Sequence, residues 1–268
     1  MNKKILSIST KIGIKLLSSC TLTLMLANTV IAAYTPPPNP SRPKGPVASG
    51  GTRTGACSTA SQASLTVLAP ISHVGKTVSK QPTFAWFVPD AKSYPMEFTL
   101  YEYNSSGKRK EITSFDLLSK PGIMKRSISK NQLNLSVGKR YRWQIALLCD
   151  PNNPSKDLSA EAEFEIAPIP NNIASQIQQA QNSIQKAQIY AKEGFWYDAL
   201  AETLKSSKNQ QFKLTLLEKL SNLEAKAATN LPDNLSENSP ENFDSKRFKL
   251  SLQNQASQLT DIVKVERQ

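Results

Sequence analysis

The sequence predicts an α+β protein in which a β-sandwich domain is followed by a short helical unit. Between residues 65 and 166, apolar and polar side chains alternate in short runs, as they do in strands that are buried on one face. Turn-forming residues separate these runs. Beyond Pro168 and Pro170, apolar residues instead recur every three or four positions, which is the spacing of one helix face. This change of period places the strands before the helices.

The first 33 residues contain the three parts of a secretory signal peptide. A basic region comes first, formed by Lys3, Lys4, Lys11 and Lys15. Residues 16–31 are apolar or small, and Ala32 and Ala33 then offer the small side chains at which a signal peptidase cuts. The sequence therefore predicts export, to the periplasm or out of the cell. A retained N-terminal anchor is the alternative, although the apolar run is shorter than the ~20 residues that a spanning helix needs.

Removal of the signal peptide changes the charge and the cysteine content. The net charge of +12 falls by the four lysines of the signal, to about +8. Cys57 and Cys149 remain, and two cysteines in an exported chain are expected to form one disulfide. Closing the long loop between Cys57 and Cys149 would contribute on the order of 4–5 kcal/mol to stability in the chain-entropy model. Two free buried thiols are the alternative.

Composition and periodicity divide the rest of the chain into four parts. Residues 34–56 are rich in proline, glycine and small polar side chains, so a linker is predicted there. The β-sandwich domain is predicted over residues 57–168 and the helical unit over 169–228. A loop and a marginal C-terminal helix are predicted over 229–268.

Two motifs favour an immunoglobulin-like or fibronectin type III-like sandwich of about seven or eight strands. The first is the run from Gln81 to Trp86, which would place a tryptophan in the core. In the second, Leu135 and Gly138 precede Tyr141 at the spacing of a tyrosine corner, in which the phenol bonds to an upstream backbone group. The two motifs occur in the order that such a sandwich requires.

The helical unit is predicted to be a hairpin or a three-helix unit packed on the sandwich. Apolar positions from Ile173 to Ala191 predict a first helix, which Glu193-Gly194 ends. Further helices are predicted from about Phe195 to Lys205 and from about Gln210 to Ala227. The hairpin resembles the middle of a tetratricopeptide repeat at Ala187, Tyr190, Gly194, Trp196 and Ala199. One copy cannot form a solenoid.

Several short motifs carry a family resemblance over roughly residues 50–225. They are Gly50-Gly51-Thr52-Arg53 before Cys57, Pro82-Thr83-Phe84 with Phe87-Val88-Pro89, Pro121-Gly122-Ile123, Gly138-Lys139 with Tyr141, Trp143 and Cys149-Asp150, and Gly194-Phe195-Trp196-Tyr197-Asp198-Ala199-Leu200. In this order they resemble a family of secreted proteins, known mainly from cyanobacteria, that is described as a domain of unknown function. The resemblance implies export and brings no catalytic residues. Pro154-Ser155-Lys156 departs from the family, which usually has an arginine–serine step there.

No catalytic constellation is evident in the sequence. His73 is the one histidine of the chain, and a serine triad or a Cys–His pair would need it as the base, whereas a surface-loop histidine is the commoner case. One histidine and two distant cysteines do not make a zinc site, and no cofactor is expected. Paired carboxylates could still cut a sugar. The candidate carboxylates for such a reaction are Glu97, Glu102, Glu111, Asp116 and Asp150.

Cationic and aromatic clusters are the candidate binding residues. The cations are Lys108, Arg109 and Lys110 at a hairpin, and Lys139, Arg140 and Arg142 at the start of a strand. If they converge, they would attract an anionic envelope polymer or lipid surface, and an ordinary solvated surface is the alternative. Phe195, Trp196 and Tyr197 are candidates for a protein-partner patch, or alternatively they join the helices to one another or to the sandwich. No nucleic-acid-binding motif is present.

These observations favour an exported, non-catalytic binding or adaptor module of the cell envelope. The expected ligand is an anionic polymer, and the expected second contact is a protein partner of the helical unit. A hydrolase of envelope polysaccharide that uses paired carboxylates is the alternative function. A purely structural envelope protein is a third.

Overall fold

The structure is a computed structural model that describes residues 34–44, 57, 64–89, 92–104, 106–231 and 240–268. In these ranges the chain combines strands and helices, so the predicted α+β class is confirmed. The predicted signal peptide and most of the predicted linker lie outside the described residues. Residues 34–44, here called the N-terminal segment, are the described part of that linker.

The strands of the described region form two sheets. The smaller sheet is antiparallel and has the order β1-β3-β6, formed by β1 (Thr66–Val67), β3 (Thr83–Val88) and β6 (Gly122–Ser127). The larger sheet has the order β2-β8-β7-β4-β5, formed by β2 (Gly75–Thr77), β4 (Pro95–Tyr103), β5 (Arg109–Leu118), β7 (Arg140–Leu147) and β8 (Leu158–Ile166). Its strand β2 runs parallel to β8, and its other pairs are antiparallel.

The two sheets share an aromatic core that is centred on Phe84 of β3. The ring of Phe84 lies 5.2 Å from that of Phe98, 5.0 Å from Trp143 and 5.1 Å from Phe164, measured between ring centroids. These three partners belong to the larger sheet, and all four side chains are fully buried. Separations of 4.5–7 Å are those at which aromatic pairs attract each other beyond the burial of their area.

The turn before β7 contains the hydrogen bond that the tyrosine motif predicts. The Tyr141 hydroxyl accepts a hydrogen bond from the backbone N–H of Ser136 at 2.9 Å, and its ring stacks on Phe164 at 5.4 Å. Gly138, between them, has a φ of +80°, which residues with a side chain rarely adopt. The turn therefore holds the start of β7 against β8.

The predicted first helix is two helices in the structure, α1 (Asn171–Gln179) and α2 (Ser183–Lys192). The backbone N–H of Gln185 donates to Asn182 Oδ1 at 3.0 Å, and that of Gln181 donates to Gln185 Oε1 at 2.7 Å. This reciprocal pair resembles a capping box, which starts a new helix where the apolar pattern alone continues. The later predicted helices correspond to α3 (Trp196–Thr203) and α4 (Gln210–Thr229).

The C-terminal region contains α5 (Pro240–Glu266), a helix of 27 residues. It packs along α4 and buries its own apolar side chains at Leu252, Ala256, Leu259, Ile262 and Val263. The helix that the sequence marks as marginal is therefore long and well anchored. Most of its other positions are polar, although Leu250 and Val265 are exposed, so a hydrophobicity pattern gives only a weak signal for it.

Buried polar side chains of the helices form hydrogen bonds with backbone groups that are not paired within the sheets. Asp198 of α3 accepts from the backbone N–H of Val78 at 2.9 Å, and Glu224 of α4 accepts from Ile71 at 3.1 Å. The side-chain amide of Gln255 on α5 donates to the carbonyl of Val67 at 2.8 Å. A buried backbone group without a partner is costly, so each of these contacts fixes one helix against the sheets.

The N-terminal segment packs on the helical unit. Tyr34 is fully buried, with its ring 4.9 Å from that of Trp196, and the N–H of Thr35 donates to the carbonyl of Ala191 at 3.0 Å. At Gly194 a Cβ atom would lie 3.1 Å from the backbone nitrogen of Pro37, and the φ of Gly194 is +81°. Glycine is required there both by the turn and by the close approach of the segment.

Two further findings concern the disulfide and the length of the helices. Cys57 and Cys149 form the predicted disulfide, and Cys149 is the second residue after the end of β7. In the described ranges, no helix is both long enough and apolar enough to cross a membrane.

We predict that Phe84→Ala lowers the free energy of unfolding by about 3–5 kcal/mol, because it opens a cavity among the rings of Phe98, Trp143 and Phe164. The measurement is urea unfolding followed by tryptophan fluorescence. Leu118→Ala is the control, since the Leu118 side chain is exposed and its loss should change stability by less than ~0.5 kcal/mol. Equal effects of the two substitutions would contradict the central place of Phe84.

Candidate functional site

A cavity of about 470 Å³ opens at one end of the larger sheet. Three structures meet there: the end of β4, the turn before β7, and the N-terminal segment. The lining contains three cations and one carboxylate, and its members are Lys44, Glu102, Tyr103, Asn104, Gly138, Lys139 and Arg140. We call this the basic cavity.

The turn between β4 and β5 gives one wall of the basic cavity its shape. Asn104 Oδ1 accepts from the N–H of Lys108 and from the hydroxyl of Ser106, each at 2.8 Å. Gly107 completes the turn with a φ of +76°. An asparagine side chain that bonds to later residues, followed by a glycine in the left-handed region, is a common way to close a hairpin. The turn places Lys108 and Lys110 at an exposed tip.

Behind the basic cavity, the outer face of the larger sheet carries a group of charges, three of which are buried. We call Arg109, Arg142, Glu161 and Glu163 the ion cluster. The guanidinium of Arg142 donates to Glu161 Oε1 and to Glu163 Oε1, each at 2.8 Å, and Arg109 donates to Glu161 Oε2 at 3.1 Å. Burial lowers the pKa of Arg142, but the adjacent Glu161 and Glu163 carboxylates outweigh that effect and raise the pKa above its usual range. Burial raises the pKa of Glu161, and the attraction of Arg142 and Arg109 opposes that rise. The cluster contains two cations and two carboxylates, so its formal charges balance.

The ion cluster holds two members of the cavity wall in place. Glu163 Oε1 accepts from the Tyr103 hydroxyl and, at 2.9 Å, from the backbone N–H of Lys44. The Lys44 ammonium lies 5.4 Å from the centre of the Tyr103 ring, which is within the range of a cation–π contact. Burial, followed by the hydrogen bond to Glu163, raises the pKa of Tyr103. Tyr103 therefore stays neutral and is fixed by its hydroxyl.

The structure brings the predicted cationic residues of the two turns to the same end of the sheet, with one exception. Lys139 and Arg140 line the basic cavity, while Lys108, Arg109 and Lys110 are exposed on the neighbouring hairpin. Arg140 is 3.6 Å from Glu165, and Lys110 is 4.0 Å from Glu102. Two further cations, Lys125 and Arg126, lie in β6 of the smaller sheet.

Arg142 is the exception and corrects the prediction of a ligand-binding residue at this position. Its side chain is fully buried and its guanidinium is bonded to Glu161 and Glu163. Alternation along β7 points it away from the aromatic core, but the N-terminal segment reaches the outer sheet face through Lys44 and Glu163. The sequence could not show this, because the segment that reaches the cluster is a hundred residues away. Lys44, which the sequence places in a linker, belongs to the cavity instead.

The aromatic residues Phe195, Trp196 and Tyr197 also need correction, because all three are buried. The Trp196 indole donates to the carbonyl of Leu68 at 2.9 Å, and the Trp143 indole donates to the Tyr197 hydroxyl at 3.0 Å. They therefore join the helical unit to the sheets, which is the alternative that the sequence left open. They do not form a partner-binding patch in this structure.

The carboxylates that a hydrolase would need are spread over the larger sheet and its turns. Glu97 and Asp116 face each other across β4 and β5, while Glu111 is exposed on β5. Glu102 lines the basic cavity without a second carboxylate in its lining. Asp150 bonds to Lys156 at 3.2 Å, and the backbone N–H of Asn152, followed by Lys156, lowers the pKa of Asp150. None of the five forms a pair inside the cavity.

His73 is buried, so it is not the surface-loop histidine that the sequence suggests. Its Nε2 lies 2.9 Å from the Tyr34 hydroxyl, and its Nδ1 lies 3.0 Å from the Ser72 hydroxyl, which donates to Glu224 Oε1 at 3.1 Å. When Glu224 is ionised, the Ser72 hydroxyl donates its hydrogen to the Glu224 carboxylate, so His73 Nδ1 must donate to Ser72. His73 Nε2 then accepts from the Tyr34 hydroxyl. In the described part of the chain, no group of three or more His, Cys, Asp or Glu side chains is arranged to hold a metal ion.

The chain matches the family model described as Domain of Unknown Function (DUF928), over residues 48–233. It belongs to the DUF928 family. The match includes β1 to β8 and α1 to α4, and it also includes the basic cavity apart from Lys44. The comparison with curated proteins finds no match. The comparison with solved structures finds none either.

The buried His73 generates a pH prediction. Burial lowers the pKa of His73 to about 4, against about 6.5 in an unfolded chain. The unfolded chain thus binds this proton more tightly, so the stability that neutral His73 contributes is present above about pH 6.5 and is lost as the pH falls towards 4. The shift corresponds to about 3 kcal/mol.

The measurement compares urea unfolding of the natural protein and of His73→Asn across that pH range. We expect the free-energy difference between the two to change by about 3 kcal/mol in disfavour of the natural protein as the pH falls. Asp198 and Glu224 have pKa values that burial raises to about 7, so their titration acts in the opposite direction. Asp198 cancels in the comparison, and Glu224 cancels provided that its hydrogen bonds to Ile71 and Ser72 are kept in the variant. A difference that is independent of pH would contradict the burial of His73.

Proposed function

We propose that this DUF928 protein is an exported, non-catalytic binding module that attaches to an anionic polymer of the cell envelope through the basic cavity. The observation that carries the proposal is the convergence of Lys44, Lys139 and Arg140 on one cavity beside the exposed Lys108 and Lys110. Lys44 comes from a part of the sequence about a hundred residues before the adjacent Lys139 and Arg140. Their convergence at one site distinguishes this surface from cations that are scattered over a solvated face.

Electrostatics supports a polymeric anion as the ligand. Cations that line a cavity with walls of low dielectric constant concentrate the field and raise the local concentration of an oppositely charged ligand. The lysines of the hairpin tip extend the positive surface beyond the cavity, so a chain with repeated negative charges would contact both. Such attraction is screened over a Debye length of about 10 Å at 0.1 M salt, so binding should weaken as salt rises.

Export is supported by two independent features. The N-terminal sequence has the basic, apolar and small-residue parts of a signal peptide, and the cysteines that remain after cleavage form a disulfide. Disulfides of this kind persist in oxidising compartments such as the periplasm. We place the protein there or outside the cell. The basic cavity would then meet envelope polymers directly.

We also propose that the paired sheets are an immunoglobulin-like sandwich with a repeat-like helical hairpin. The proposal is supported by the strand orders β1-β3-β6 and β2-β8-β7-β4-β5, and by the hydrogen bond of Tyr141 at the turn before β7. The hairpin is supported by the buried small residues Ala187, Ala191 and Ala199 between α2 and α3. In this arrangement the basic cavity lies at an end of the sandwich, where loops carry function in such folds.

The test is binding to immobilised polygalacturonate at low and at high salt, with neutral dextran as the blank. We expect salt-sensitive retention, which Lys44→Glu and Lys139→Glu each weaken by about tenfold through the loss of attraction and the added repulsion. Lys192→Glu is the matched control, because Lys192 is exposed on α2 and is not in the cavity lining.

Three outcomes would count against the proposed function. Equal retention of all four proteins would show that the cavity does not bind the polymer. If Lys192→Glu weakened retention as much as the cavity variants do, the effect would be one of net charge and not of the cavity. Retention on anionic phospholipid vesicles without retention on any anionic polymer would replace the polymer by a membrane surface.

A further inference from the structure

The lining of the basic cavity contains more than a site for a simple anion would need. Glu102 contributes a carboxylate, Asn104 an amide and Tyr103 an aromatic ring beside the three cations. A carboxylate repels an anionic ligand, so Glu102 weakens binding unless the ligand offers hydrogen-bond donors to it. The lining therefore suits a ligand that carries both negative charge and donor groups.

Glu102 is held firmly by its backbone and loosely by its ion pair. Its strand position pairs with Tyr141 on one side and with Lys110 on the other. Its carboxylate is 4.0 Å from the Lys110 ammonium, and the side chain keeps 30% of its exposure. Because that contact is at the outer limit of an ion pair, the carboxylate is able to accept hydrogen bonds from a ligand in the cavity.

Tyr103 lines the cavity, and its hydroxyl is bonded to the protein. Its hydroxyl donates to the buried Glu163, which belongs to the ion cluster. The hydroxyl is therefore committed to the protein, and what the residue adds to the cavity is apolar ring surface. Small-ligand sites commonly combine an aromatic surface with a few placed polar groups, in volumes of roughly 300–1,000 Å³. The basic cavity, at about 470 Å³, is within that range.

We infer that the basic cavity recognises a uronate unit of a carboxylated polysaccharide. The sugar carboxylate is bound by the cations Lys44, Lys139 and Arg140, and a ring hydroxyl donates to Glu102. The C–H face of the sugar packs on Tyr103. This inference rests on the proposed function, and it names the class of ligand. Glu102 is then the residue that separates an acidic sugar from an anion without hydroxyls.

The substitution Glu102→Gln tests this inference, because simple electrostatics and sugar recognition predict opposite changes in binding affinity. Glu102→Gln removes a negative charge, so simple electrostatics predicts tighter binding of every polyanion. If Glu102 accepts a sugar hydroxyl, the same change instead weakens polygalacturonate binding, by about tenfold for the loss of one charge-assisted hydrogen bond. Polyacrylate is the comparison polymer, because it carries carboxylates on a chain without hydroxyls. The expected result is weaker binding of polygalacturonate together with equal or tighter binding of polyacrylate.

Glu111→Gln is the matched control, since Glu111 is exposed on the adjacent β5 and is not in the cavity lining. It removes the same charge from the same sheet and should affect both polymers alike, by less than about twofold. Tighter binding of both polymers by Glu102→Gln would overturn the inference and leave the electrostatic proposal intact. If Lys44→Glu and Lys139→Glu bound polygalacturonate as tightly as the natural protein does, the proposed function itself would be overturned.

A second measurement on the natural protein avoids any dependence on the variant. Free galacturonate and free acetate compete with the immobilised polygalacturonate, and both carry one carboxylate. We expect galacturonate to compete at a concentration at least tenfold lower, because it alone brings ring hydroxyls and a C–H face. Equal competition by the two acids would overturn the recognition of the sugar.

Discussion

The ring of Phe84 is the point at which the two sheets and the helical unit share one core. It contacts Phe98, Trp143 and Phe164 of the larger sheet, and its centroid is also 5.7 Å from that of Tyr197 on α3. Since aromatic residues bury the largest apolar area per side chain, this junction is a main source of the free energy that joins the layers. The strands cannot change their spacing without disturbing the packing of α3.

On its other face, the larger sheet depends on charge rather than on apolar contact. Arg142 and Glu163 are buried, and such pairs stabilise little by themselves, because removing both charges from water costs about as much as their attraction returns. Removing one partner is much more harmful, since it leaves an uncompensated charge. The ion cluster is therefore better understood as a device that fixes geometry: Glu163 holds Tyr103 and the backbone of Lys44 together. It thereby connects the interior of the sheet to the candidate ligand site.

Local patterns predicted local structure well. The alternation in residues such as Ala162–Ile166, the turn glycine Gly138 and the Tyr141 motif each depend on neighbours a few positions away, and the structure has the corresponding strands, turn and hydrogen bond. Local patterns failed where a distant segment changes the environment of a residue. Arg142 alternates as an exposed residue does, yet the N-terminal segment reaches its ion cluster. The run Phe195–Tyr197 is compatible with a surface patch and with an internal interface, because three adjacent aromatic residues do not show which way their side chains point.

The sequence by itself determined the α+β class, the order of strands and helices, the cysteine pair and the family resemblance. Each of these depends on composition or on short-range periodicity, which is fixed before any tertiary contact forms. Only the tertiary structure decided that Lys44 joins Lys139 and Arg140 at one cavity, and that Glu102 stands among them. Those residues come from three separate parts of the chain. Their approach depends on strand pairing and on the packing of the N-terminal segment, which are long-range contacts that a local sequence pattern does not contain.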